Sequence, residues 1–270
     1  MELRDAVRLP ANWTATADSL KDRVVLIVGA AGALGRASAL ACARMGANVV
    51  LLGRKVRALE KVYDEVEAIQ TDAASIYPLD LAGATPQDYA DLAATIEREF
   101  ERLDGVVFAA AHFDGLQALS TTKPADWLSA MQVNVNAPFA LIQACAELLA
   151  RASGVEAAST QKSQSSVVFV LDDPARVGKA FWGAYGVGKF ALMGLASILH
   201  EESESSPLRV HALLPAPMRS TLRRNAYFGE NTVALPDATQ AADAVVYLLG
   251  DAGAAARGKV LDLRENKPGE

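Results

Sequence analysis

Four runs in this chain are apolar at nearly every position rather than at every second one: Val-Val-Leu-Ile-Val at 24–28, Val-Val-Leu-Leu at 49–52, Val-Val-Phe-Val-Leu at 167–171 and Val-His-Ala-Leu-Leu at 210–214. A strand with that pattern is buried on both faces, which requires a parallel sheet covered by helices on each side. Longer segments of helical period separate the runs, the rhythm of strands joined by crossover helices. The fold class is therefore α/β and doubly wound, with a seven-stranded, mainly parallel sheet. Its strands are expected at 24–28, 48–52, 75–79, 105–109, 166–171, 209–214 and 259–263.

The 270 residues, 51% hydrophobic, suffice for one large core, and neither a repeat nor a linker divides them. We read one domain over 1–270, with an N-terminal extension at 1–22 and a tail at 264–270. A stretch at 152–165, rich in Ser, Ala and Gln, is expected to be a mobile surface loop. The formal charge of −6 offers no basic field for nucleic acid or an anionic membrane. Cys42 and Cys145 sit in apolar, helix-like stretches and are expected as buried thiols in a reducing compartment. The N-terminus lacks a continuous apolar run, so neither a signal peptide nor a membrane anchor is expected, and the cytoplasm is the default location. His112, His200 and His211 lack ligand spacing, so no metal is expected.

Chemistry concentrates in a few places. Gly29-Ala30-Ala31-Gly32-Ala33-Leu34-Gly35 closes the first strand and opens a helix, so Gly29, Ala31, Gly32, Leu34 and Gly35 are candidates to cradle a pyrophosphate on backbone N–H groups. After the second strand, Arg54 and Lys55 stand where a carboxylate would select an unphosphorylated ribose. Two cations there favour the 2′-phosphate of NADP, with NAD the alternative, unless they merely begin a solvated helix. Asp80, after the third strand, is placed for the adenine end of the pocket or for a helix N-cap. In Tyr185-Gly186-Val187-Gly188-Lys189 the ammonium lies one helical turn from the phenol and can favour its ionised form.

The glycine turn, the Tyr185 and Lys189 pair and Met131-Gln132-Val133-Asn134-Val135-Asn136-Ala137 resemble the short-chain dehydrogenase/reductase superfamily, a Rossmann fold, over nearly the whole chain. Val62-Tyr63-Asp64-Glu65-Val66, the 131–137 segment and the stretch from Trp182 to Ala191 look most like its YciK-type branch. The resemblance implies Tyr185 as general acid/base, Lys189 as the residue that lowers its pKa and binds the nicotinamide ribose, and Asn134 as anchor of a proton-relay water. It also implies cofactor contacts at Ala109, Pro215 and Ser220, and a substrate lid at 215–236 that holds Arg219, Arg223, Arg224, Tyr227 and Phe228. Homodimers or homotetramers built on the two long helices, about 138–150 and 184–200, follow from the same resemblance.

The chain departs from that pattern where it matters most. The family's serine, thirteen positions before the tyrosine, is Asp172 here, with no hydroxyl beside it. An ionised carboxylate only accepts hydrogen bonds, and would either oppose a tyrosinate or draw Lys189 into an ion pair; a protonated Asp172 would donate instead. Asp172 and Asp173 would otherwise only cap the turn after the strand. Ala33 replaces the middle turn glycine, Ala109-Ala110-Ala111 replaces Asn-Ala-Gly, Ala216 follows Pro215 and Gly188 precedes the lysine. Two functions stay open: an oxidoreductase passing hydride between NADP(H) and a small-molecule carbonyl or alcohol, and a catalytically silent dinucleotide-binding or protein-interaction scaffold.

Overall fold

The computed structural model of the protein describes residues 6–152 and 164–264. In chain order the elements are β1 (Ala6–Val7), β2 (Val24–Val28), α1 (Ala33–Arg44), β3 (Asn48–Gly53), α2 (Val56–Glu67), β4 (Ala74–Pro78), α3 (Pro86–Phe100) and β5 (Gly105–Phe108). They continue with α4 (Pro124–Met131), a π-turn at Gln132–Asn136, α5 (Ala137–Ala152), β6 (Ser166–Val170), α6 (Pro174–Val177), α7 (Gly183–Glu202), β7 (Arg209–Leu214), α8 (Thr221–Ala226), α9 (Thr239–Leu249) and β8 (Val260–Asp262). The expected loop falls mostly on 153–163 and the expected tail on 265–270, both outside the described residues.

The strands form one sheet in the order β1-β8-β7-β6-β5-β2-β3-β4, and every pairing is parallel. Alternate residues of each strand feed two cores. Val25 and Ile27 of β2 pack with α1, α2 and α9, whereas Val24, Leu26 and Val28 pack with α3, α5 and α7. This double burial is what the uninterrupted apolar runs encode.

Among the described residues the sheet has eight strands, not the expected seven. The extra one, β1, is too short to carry a periodicity, and pairs Ala6 and Val7 with Val260 and Leu261. It covers the outer edge of β8, whose backbone groups would otherwise stand unpaired. Arg8 reinforces the pairing by donating to the Asp262 carbonyl at 2.9 Å. The following segment packs on the same core: Trp13 meets Tyr247 edge-on at 5.2 Å between centroids, and Leu20 is fully buried.

From β2 the chain winds outward through β3 and β4; from β5 it winds the other way through β6, β7 and β8. The carboxyl ends of β2 and β5 thus flank the switch point where a crevice opens in a doubly wound sheet. Asp104 fixes the opposite end of the same pair. It is buried, its Oδ2 accepts from Val24 N at 2.9 Å and from Arg102 Nε at 2.8 Å, and its own amide donates to the Val24 carbonyl at 2.8 Å. Asp104→Ala strands a buried N–H and an arginine, so we expect a loss of about 1–3 kcal/mol in urea unfolding, with the turn after β2 unaltered.

Candidate active site

The turn after β2 is shaped by two positions where a side chain has no room. Gly29 has φ of +88°, and a Cβ on it would stand 2.7 Å from the Ala110 backbone. A Cβ on Gly35 would run into the Gly29 carbonyl, so only glycine lets α1 start this close to the strand. Ala31, Gly32 and Ala33 are exposed above the turn, with Leu34 and Gly35 buried beneath it. Gly32 caps α1 without a side-chain bond and no acidic residue occupies the first helical turn, which leaves backbone donors for a phosphate. Ala33 at the middle glycine position does not disturb the helix start. The cradle therefore fits the pyrophosphate of a dinucleotide.

Around it, Arg54 and Lys55 follow β3 and are exposed, Lys55 being the N-cap of α2. Asp80 is exposed after β4, where its Oδ1 accepts from Ala82 N at 3.1 Å in a local turn. Ala109 continues β5 by donating to the Val28 carbonyl at 3.0 Å. Pro215 follows β7, and the Ser220 hydroxyl accepts from Arg223 N at 3.1 Å as the N-cap of α8.

Tyr185 and Lys189 lie one turn apart on α7, 5% and 6% exposed. The Tyr185 hydroxyl donates to Asp172 Oδ2 at 2.7 Å. The other carboxylate oxygen accepts from the Asp173 amide at 2.7 Å and from the Arg176 guanidinium. Asp172 is thus the acceptor of three hydrogen bonds, and its ion-pair partner is Arg176 instead of Lys189. The reason is local. Asp173 caps α6 by accepting from Ala175 N at 3.0 Å and Pro174 occupies the first turn, which turns Arg176 back over Asp172 at i,i+4 spacing. That spacing was readable in Asp172-Asp173-Pro174-Ala175-Arg176, yet the sequence reading missed Arg176.

Lys189 Nζ donates instead to the Val170 carbonyl at 2.7 Å and lies 5.6 Å from the Tyr185 ring centroid. Burial pulls its pKa down to about 8, the Asp172 charge opposing. Tyr185 moves the other way, held well above its ordinary value first by burial and then by the charge and hydrogen bond of Asp172, with Arg176 partly opposing. The phenol is therefore held in its protonated form.

Asn134 is 3% exposed in the π-turn, where the Ala137 amide reaches back five residues to the Gln132 carbonyl. Its Oδ1 accepts from His112 N at 2.7 Å and its Nδ2 donates to the His112 carbonyl at 3.0 Å, so both ends of the amide strap the loop after β5. Gly188 explains itself here, since a Cβ on it would come within 3.0 Å of Asn134 Cβ. The His112 ring pairs with Asp114 at 2.7 Å.

Above the phenol, Phe113 and Trp182 stack at 5.5 Å, and Phe113 meets Tyr185 edge-on at 5.2 Å. A small cavity of about 20 Å³ opens beside these rings, lined by His112, Asp114, Asp126, Trp182 and Tyr185 among others. Tyr227 pins the segment after β7 to the body: its ring lies 4.1 Å from the Arg223 guanidinium and its hydroxyl accepts from Arg176 at 3.3 Å. Arg223 is spent on Glu230 through two bonds of 2.6 Å, Arg219 and Arg224 are exposed, and Phe228 is 87% exposed. Cys42 and Cys145 are free and buried, and burial pushes both thiols up to about 12.

The sequence matches the short chain dehydrogenase family over residues 23–231. It is 33% identical over 253 residues to the uncharacterized oxidoreductase YciK of Escherichia coli K12, covering 93% of this chain and 96% of that one. Among solved structures it resembles a short chain dehydrogenase from Pseudomonas syringae, with TM-score 0.84 and 36% identity over 93% of this chain and 98% of that one. Another from Shigella flexneri 2a, complexed with NADP, aligns with TM-score 0.83 and 32% identity over 92% and 99% of the two chains.

The buried ammonium has a consequence for stability. Lys189 holds its proton up to about 8 in the folded protein and up to its ordinary 10.5 once unfolded. Between those values the unfolded chain binds more protons, so this group makes stability rise with pH, by at most about 1.4 kcal/mol per unit. Tyr185 reverses the trend above about pH 10, where the unfolded chain loses the phenolic proton first. Urea midpoints of the parent should climb from pH 8 to 9.5 relative to those of Lys189→Met.

Proposed function

This chain belongs to the short-chain dehydrogenase family, and from that premise we propose that it is an NADP(H)-dependent oxidoreductase acting on a small carbonyl compound or the corresponding alcohol. The carrying observation is the buried Tyr185, protonated and one helical turn from Lys189, beside a phosphate cradle at the carboxyl ends of β2 and β5. Gly29, Ala31, Gly32, Leu34 and Gly35 would hold the pyrophosphate, Arg54 and Lys55 the 2′-phosphate, and Asp80 the adenine end. Ala109 would also border the adenine end, and Pro215, Ser220 and Lys189 the nicotinamide side. When bound, NADPH supplies a hydride; the chain's own work is to place the carbonyl and deliver a proton to its oxygen. Tyr185 holds that proton, and Asn134 fixes the loop and π-turn through which it is replenished. Burial and Asp172, in the serine's place, keep the phenol protonated, the form from which reduction starts.

A catalytically silent, dinucleotide-binding scaffold is the second reading. It is favoured by the bond that commits the Tyr185 proton to Asp172 under a roof of Phe113, Trp182 and Tyr227. Fluorescence titration with NADPH and NADH, alongside turnover on a carbonyl panel, separates the two. We expect NADPH to bind more tightly and Arg54→Ala to weaken it about ten- to a hundredfold, NADH being little affected. Parental turnover that Tyr185→Phe abolishes supports the enzyme; binding without turnover in the parent supports the scaffold.

We further propose a homodimer or homotetramer in the cytoplasm, where buried free thiols such as Cys42 and Cys145 stay reduced. The helical run Pro124–Ala152 is long and apolar enough to cross a membrane by composition, but Leu141, Cys145, Leu148 and Leu149 are committed to the core. Leu128, Phe139, Phe190 and Ile198 remain exposed on α4, α5 and α7, a surface suited to a second copy. Sedimentation should give a dimer or tetramer, and Phe139→Glu should dissociate it; a parental monomer would refute the assembly.

A further inference from the structure

We propose that Arg176 takes over the work of the missing serine, its guanidinium donating to the substrate oxygen beside the Tyr185 hydroxyl. The proposal rests on the oxidoreductase reading above. With Asp172 in the serine's place, one donor is lost and a carboxylate stands against an oxygen that becomes negative during reduction. A single neighbour offsets both effects. Arg176 Nη2 holds Asp172 Oδ1 while the Tyr185 hydroxyl holds Oδ2, so one carboxylate spans the two donors and brings them to the same small region.

Arg176 is also fixed in place. Its guanidinium carbon lies 5.3 Å from the Trp182 ring centroid and 5.6 Å from that of Tyr227, and the side chain is 24% exposed. A guanidinium carries five N–H donors. Two are engaged, one at Asp172 and one in the 3.3 Å bond to Tyr227, and its Nε is buried without a partner. Unspent donors on a held, partly dried cation are what an oxyanion requires, and charge-assisted bonds of this kind are about twice as strong as neutral ones. As the carbonyl carbon takes up hydride, its π pair moves onto oxygen, and the oxygen takes the proton of Tyr185. Arg176 gives up no proton and holds the oxygen while its charge grows.

The test is a set of kcat and KM measurements on the parent, Arg176→Ala, Asp172→Ala, the two combined, and Asp172→Ser with Arg176→Ala, each checked for NADPH affinity. Arg176→Ala should lower kcat about 10²–10³-fold in the parent, and by a similar factor on top of Asp172→Ala, where no carboxylate is left to neutralise. A serine at position 172 should return most of the lost kcat in the Arg176→Ala protein. The proposal is overturned by an unchanged kcat in Arg176→Ala, by a double alanine variant as active as Asp172→Ala, or by failure of the serine to rescue. If Arg176→Ala loses NADPH binding through misfolding, Arg176→Lys replaces it, with a smaller loss of kcat expected and an unchanged kcat again contrary. A parent that turns over no carbonyl overturns the oxidoreductase reading together with this one, whereas an active parent indifferent to Arg176 overturns this one alone.

Discussion

The site depends on how closely α1 approaches the turn that follows β2. That approach is possible only because Gly29 and Gly35 lack a Cβ, and it sets off a chain of contacts running to the other end of the site. Gly29 lies against the backbone of Ala110; two residues on, both main-chain groups of His112 are held by Asn134; and Asn134 packs on Gly188, the residue before Lys189. Each link is a close-packed or doubly hydrogen-bonded contact with little slack. The phosphate cradle and the Tyr185 and Lys189 pair are therefore held at a set separation by the loop after β5 and the π-turn, although the two lie on different helices.

Within that frame burial and one residue, Asp172, set the protonation of the phenol. A lysine one turn from a tyrosine ordinarily draws the phenol toward ionisation, but the Lys189 ammonium is buried and tied to the Val170 carbonyl, while Asp172 touches the phenol directly. Burial raises the pKa of the phenol first, and the charge and hydrogen bond of the touching Asp172 carboxylate raise it further. Tyr185 is thereby kept as an acid. Arg176 matters for the same reason: without it the negative charge of Asp172 would be unbalanced inside a nearly dry pocket, which is costly.

Much of this was legible in the sequence. Uninterrupted apolar runs fix a two-sided parallel sheet because only helices on both faces can bury every position, and spacing alone brings Tyr185 over Lys189. The glycine pattern of the turn is visible in the sequence, and at Gly29 and Gly35 the structure leaves no room for a Cβ. What escaped was of two kinds. β1 is two residues long, and its pairing with β8 rests on backbone groups that every sequence possesses, so no side-chain pattern marks it. Arg176 was hidden by competition: Asp172 had two basic candidates, and the family pattern drew the eye to Lys189. Burial settles the choice, since Lys189 reaches a backbone carbonyl on β6 before it reaches the carboxylate, whereas the short α6 turns Arg176 onto Asp172 from four residues away.

The contacts over the site differ in kind according to where they run. Those inside the segment after β7 are short: Ser220 caps α8, and Arg223 grips Glu230 through two bonds of 2.6 Å. Those joining the segment to the body are mostly apolar: Ala226 is buried with Val177, Trp182 and Tyr185, Leu222 and Tyr227 pack against the same cluster, and Arg176 adds a 3.3 Å bond to the Tyr227 hydroxyl with its guanidinium carbon 5.6 Å from that ring. The segment is therefore held on the body by packing more than by polar bonds, and the two kinds of contact do separate work. The ion pair of Arg176 with Asp172 lies wholly on the body side, so the charge balance beside Tyr185 does not depend on the segment; what the segment adds is cover for the guanidinium that makes that pair.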